Sequence, residues 1–182
     1  QINAMTSTQV AALSNDQATA LTTLQAANLG TTQAAALTTA AIAAMDVADV
    51  TAMNTAAVAA MSTDQIRALT TADDGQIVGL TTAQVAGLKT AQVAALTTAQ
   101  VAVMQTADLV KLDSAQIKAL TTAQIRAFTT DVQIPALLST QLNAMTSTQV
   151  ASLTNAQATA LTTLQATNLG TLQVAALTTA AI

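Results

Sequence analysis

The sequence predicts an all-α solenoid of very short helices, one for each eight-residue repeat, and three observations carry that prediction. Leu or Met recurs every eight residues, a small polar residue follows it, and a glutamine comes three residues later. Between Leu80 and Phe128 the register is plain: LTTAQVAG, LKTAQVAA, LTTAQVAV, MQTADLVK, LDSAQIKA, LTTAQIRA. The same frame runs from Met5 through Leu69 and again from Leu137 onward, giving 22 anchors at position 1, all Leu or Met except Phe128. Self-similarity at a fixed short period is the signature of an array in which each unit stacks on its neighbours.

A continuous helix fails on phase. Eight residues advance about 800°, so an apolar stripe would rotate by about 80° per repeat and never settle on one face. A plain strand fits poorly too, because positions 1 and 6 would point to opposite faces. The octad reads instead as the start of a helix made again and again. Position 2 is Thr, Ser, Asp, Asn or Gly in 19 of 22 octads, the exceptions being Lys89, Gln105 and Leu138, and these types cap helix N-termini. Position 5 is Gln in 15 octads, the spacing of a capping box. Thr81, Thr97, Thr121 and Asp113 are therefore expected as caps, with Gln84, Gln100 and Gln124 reaching back to them.

The apolar positions complete the pattern. Position 1 precedes the cap and position 6 is the fourth helical residue, as in a hydrophobic staple. Leu80, Val85, Leu88, Val93, Leu96, Val101, Leu120 and Ile125 are thus expected to form a continuous core spine. Ala at positions 4, 7 and 8 lets successive coils approach closely. Helices this short are marginal alone, so stability must come from stacking. Because Thr, Val and Ile also favour sheets, a β-solenoid is the alternative.

The 182 residues form a single repeat array, with irregularities near 70–79, around Asp73-Asp74-Gly75, and near 129–136, around Pro135. Both read as surface bulges or changes of direction. Residues 1–42 match 141–182 at 35 of 42 positions. Residues 1–140 are accordingly expected to be one higher-order unit of seventeen octads, and 141–182 the start of the next. In the regular octads the charged residues avoid positions 1 and 6 and are expected to face outward. Nothing after Asp131 is charged, which suits a tightly packed setting such as a filament.

Composition argues against catalysis. The chain has no His, Cys, Trp, Tyr or Glu, which removes the usual general bases, thiol nucleophiles and soft metal ligands. No enzyme, cofactor or metal is expected; Asp73 and Asp74, adjacent carboxylates in a glycine turn, are the one candidate for a hard cation. Asp46 and Asp113 are expected as helix caps, where a carboxylate also suits the positive helix end. Five basic residues against nine acidic ones, net charge −4, with no aromatic stacking platform, speak against nucleic acid as a partner. Mean hydropathy is +0.49, yet the longest apolar runs, Ala40–Met45 and Ala56–Met61, fall far short of the roughly 20 residues a membrane span needs. The repeated Gln is expected to cap helices and stack as a ladder between coils, and the Met residues to stand in for Leu. The opening Gln1-Ile2-Asn3, without an initiating Met or signal peptide, suggests a piece of something larger.

The LTTAQVAA and LTTAQIRA octads resemble the octapeptide tracts of very large bacterial secreted or surface repeat proteins of adhesin-like type. That resemblance implies an extracellular or cell-surface stalk, filament or matrix component. The expected partner is a further copy of the chain; the alternative is a module that binds polysaccharide or ice through the Thr array.

Overall fold

The structure is a computed structural model that describes residues 2–72 and 75–180, and among them every regular element is helical. The β-solenoid alternative is thereby set aside. The chain divides into two compact units, Gln1–Leu96 and Thr97–Ile182. The first holds a 3-10 turn, Ile2–Ala4, and helices α1 (Ser7–Ala11), α2 (Asn15–Thr19), α3 (Thr23–Ala27), α4 (Thr31–Ala36), α5 (Thr39–Ala44), α6 (Val47–Ala52), α7 (Thr55–Ala60), α8 (Thr63–Ala68), α9 (Gln76–Gly79), α10 (Thr82–Ala86) and α11 (Thr90–Ala95). The second holds α12 (Thr98–Val103), α13 (Thr106–Leu109), α14 (Ser114–Ala119), α15 (Thr122–Arg126), α16 (Gln133–Ala136), α17 (Ser139–Ala144), α18 (Ser147–Ala151), α19 (Asn155–Thr159), α20 (Thr163–Thr167) and α21 (Thr171–Ala180).

Each break is made by two extended residues, the apolar anchor and the cap behind it. Leu37 stands at φ −59°, ψ 139° and Thr38 at φ −72°, ψ 157°, after which the backbone turns helical again. The amide of the anchor closes the old helix on the carbonyl of position 6, as Leu88 does on Val85 at 3.1 Å, and the cap opens the new one. With four to six residues apiece, most helices leave more backbone groups unpaired than they pair internally. Tertiary contact has to supply the rest.

That contact comes from the helix three places along. In the first unit α1 packs on α4, α2 on α5, α3 on α6, and so on to α8 on α11; in the second the same spacing joins α12 to α15, α14 to α17 and α18 to α21. The coil therefore closes after between three and four octads. At Gly79 the coils approach so closely that an added Cβ would collide with the Val47 side chain of α6. Arg67 adds a tie to the following coil, its Nε donating to the Ala95 carbonyl across 28 residues at 3.0 Å.

At one place the expected break is missing. Residues 35–42 and 175–182 have the same sequence, AALTTAAI. In the first copy the helix stops at Ala36 and restarts at Thr39, whereas α21 continues unbroken through Leu177 and Thr178 to Ala180. Local sequence cannot distinguish them. In the first copy Gln65, from the following coil, donates its Nε2 to the carbonyl oxygens of Ala34 at 2.9 Å and Leu37 at 2.6 Å, which holds that bend from outside.

Candidate functional site

The chemistry of this molecule is concentrated in the glutamine at position 5. Gln84 shows how. Its Oε1 accepts the Thr81 amide at 2.7 Å, while the Thr81 hydroxyl accepts the Gln84 amide at 3.2 Å, which closes the capping box. The Nε2 of the same side chain then donates to the carbonyls of Val50 at 3.0 Å, Thr51 at 3.2 Å and Met53 at 2.7 Å. One side chain thus serves the N-terminus of its own helix and the C-terminus of a helix in the preceding coil. Both are groups that a short helix leaves orphaned, and in a water-free place each would be costly unpaired.

The pattern repeats through both units. Gln76 reaches Ile42 and Met45, Gln92 reaches Val58 and Met61, Gln149 reaches Ile117 and Leu120, Gln157 reaches Ile125 and Phe128. Thr97 and Thr121 form the same reciprocal caps with Gln100 and Gln124, and Asp113 accepts the amides of Ala115 and Gln116 at 2.8 Å each. Leu80, Val85, Leu88, Val93, Leu96, Val101, Leu120 and Ile125 are all buried, as are Met45, Met53, Met61, Met104 and Met145 at position 1. The threonine pairs Thr81/Thr82, Thr97/Thr98 and Thr121/Thr122 are exposed.

The sequence frame missed two members of the ladder, because the interruptions displace them. Thr70 pairs reciprocally with Gln76 at a separation of six, and Thr129 with Gln133 at a separation of four. The inserted residues fall between cap and glutamine and leave the pairing intact. The reach to the earlier coil shows the same bookkeeping. Gln65 spans 31 and 28 residues; Gln84, across the first interruption, spans 34 and 31; Gln133, across the second, 32 and 29.

Two expectations about charge are corrected. Asp49 and Asp108 do not face outward: both occupy position 5 and are only 2% exposed. They take the glutamine's place, and position 5 faces the earlier coil whatever residue fills it. Asp46 makes no side-chain cap hydrogen bond, unlike Asp113. Its octad carries Asp49 where the partner glutamine should be, and two carboxylates repel where carboxylate and amide attract. At Ala57, another octad without the glutamine, Asn54 donates its Nδ2 to the Leu29 carbonyl at 2.7 Å. The proposed cation pair Asp73 and Asp74 lies outside the described residues, and among those described no acidic cluster could hold a metal.

Burial pushes the Asp49 carboxyl above its ordinary value of 3.8; a hydrogen bond from Thr23 pulls the other way and the charge of Asp46 adds to the rise. Its Oδ2 has no hydrogen-bond partner. Asp108 is likewise pushed up by burial. Neutral, either acid offers an O–H where glutamine offers an N–H. A recess of about 500 Å³ lined by Ser147, Thr148, Ala151, Leu172, Ala175 and Ala176 holds no titratable group.

This architecture has a match by sequence. Residues 42–73, 73–105 and 101–138, together more than half of the chain, match the ALTTAQ repeat. The chain belongs to the ALTTAQ repeat family. No curated protein and no solved structure matches it. In the ALTTAQ octads of this chain, the T-x-x-Q portion makes the cap and the ladder, and the leucine in front of it marks the break.

Two measurements test the ladder. Gln84→Ala removes the partner of the Thr81 amide and leaves the carbonyl of the buried Met53 without its glutamine donor, and should cost about 3 kcal/mol in urea unfolding. Gln17→Ala, at an exposed position, should cost less than about 1 kcal/mol. Equal losses would remove the inter-coil bonds from the account. As for pH, raised folded-state values mean that the folded chain holds its protons more tightly than the unfolded one. The stabilisation is full below the ordinary value of 3.8 and is lost as pH rises through the elevated folded values. The protein should therefore gain stability on mild acidification from neutrality, and Asp49→Asn with Asp108→Asn should raise stability at pH 7 and flatten that dependence. A wild type that weakens steadily towards pH 4 would contradict the assignment.

Proposed function

We propose that this ALTTAQ array is a structural segment of an extracellular filament, stalk or adhesin-like surface protein of a bacterium, and that it is not an enzyme. One observation carries the reading. Within each unit the described rungs of the ladder join a coil to the coil immediately before it, at a spacing of about one turn, a construction that extends by adding octads without altering those already placed. A protein built this way gains length and surface rather than a larger core. The 140-residue recurrence of residues 1–42 as 141–182 supports growth by the same increment in the parent protein. Composition points the same way: the buried glutamines are occupied in holding coils together, and the chain has no His, Cys or Glu to spare for chemistry.

Electron microscopy of the purified parent protein should show thin rods of uniform width whose length scales with the number of octads. Compact particles would end this reading.

A further inference from the structure

The glutamine ladder ties each helix to the one four places back, as Gln65 of α8 does to the end of α4 and Gln149 of α18 to the end of α14. A second set of bonds runs the other way and starts from position 7. Thr19 of α2 donates to the Ala44 carbonyl at the end of α5 at 2.9 Å, and Thr51 of α6 to the Gly79 carbonyl at the end of α9 at 2.6 Å. Both hydroxyls lie nearer to that carbonyl than to the one in their own helix, Asn15 at 3.1 Å and Val47 at 2.8 Å. The Nε of Arg67 donates to Ala95 at 3.0 Å, the Nε of Arg126 to Ser152 at 2.9 Å, and the Nδ2 of Asn143 to Asn168 at 2.8 Å. Three kinds of side chain make the same bond.

One rule of register covers all five: the acceptor is the carbonyl at position 8, three octads on. Thr19 and Asn143, with no interruption ahead of them, span 25 residues. Thr51 and Arg67 cross the first interruption and span 28; Arg126 crosses the second and spans 26. The last carbonyls of a short helix have no amide of their own helix to accept. Glutamine takes those of positions 6 and 1, as Gln65 does at Ala34 and Leu37, and position 8 is left for this second donor. Position 7, unlike the anchors, is free to vary: Thr51, Ala86, Val110, Arg126 and Asn143 all occupy it.

We propose that position 7 sets how firmly each coil grips the next: a donor there clasps the end of the helix three places on, and alanine leaves the joint to the glutamine. Clasp and ladder together brace a helix against neighbours at two different distances, which resists sliding as neither does by itself. This deepens the structural reading above and rests on it, since grip between coils is what a rod tunes along its length. Arginine suits the task because its Nε–H is held in the plane of the guanidinium at a fixed depth, where lysine carries a methylene. Lys118 of α14 supplies the case that decides. It stands at position 7, α14 packs on α17, and the 26 residues that lead from Arg126 to Ser152 lead, across the same interruption, from Lys118 to Ala144 at position 8.

Exchanges that keep the charge test it. Lys118→Arg adds a clasp and should raise the thermal midpoint by about 3 °C, while Arg126→Lys removes one and should lower it by a similar amount. Lys111→Arg, at the exposed position 8 of its octad, makes the same exchange where no clasp can form and should leave the midpoint unchanged. A second readout separates a bond from a general liking for arginine. By nuclear magnetic resonance, the Nε–H of Arg67, of Arg126 and of the arginine in Lys118→Arg should exchange slowly with solvent, and that of the arginine in Lys111→Arg quickly. A Lys118→Arg protein no more stable than Lys111→Arg, an Arg126→Lys protein that loses nothing, or equal exchange at all four arginines would each overturn the proposal. None of these results bears on whether the parent protein forms rods in micrographs, so the two readings fail separately.

Discussion

A glutamine amide that bonds to two helices at once is the constraint on which this structure depends. An octad is too short to satisfy its own backbone: its first amides and its last carbonyls are orphans by geometry. Threonine alone settles part of the first problem, and leucine alone settles neither. Glutamine at position 5 reaches far enough to do both, with the oxygen turned to its own cap and the nitrogen to the coil before, as Gln84 does between Thr81 and Met53. The burial of uncharged polar side chains in a row is therefore a stabilising arrangement here, since each of their hydrogen-bonding atoms finds a partner.

The same constraint explains which irregularities are tolerated. Extra residues between cap and glutamine, as from Thr70 to Gln76, are tolerated because both ends of the pair are held. Loss of the amide is handled locally: Asn54 supplies a donor near Ala57, and Asp49 is pushed toward its neutral form by burial. The anchors accept Leu, Met or Phe, because they fill space rather than make directed bonds.

Much of this was legible in the amino-acid order. The period of eight, the break after each Leu, and the cap pairs Thr81–Gln84, Thr97–Gln100 and Thr121–Gln124 follow from spacing and from the known chemistry of helix starts. The second half of the glutamine's role was not, since a reach of 28 to 34 residues depends on how many octads close a coil, and nothing within one octad states that number. For the same reason Asp49 and Asp108 read as ordinary surface charges, and Gln76 and Gln133 were lost to a strict count of eight. Counting three residues forward from each cap would have missed them still; asking which glutamine follows each interruption would have found both.

Each rung also has a direction in time. The donor always lies later in the chain than its acceptors, so a chain emerging amino end first meets the carbonyls of a turn before the amides that will lock them. Winding can then follow the emerging chain at a fixed lag of about one turn, with no need to wait for the far terminus. A protein of any length assembled this way keeps only its newest turn unsettled, and so exposes a constant amount of unfinished surface however long it becomes.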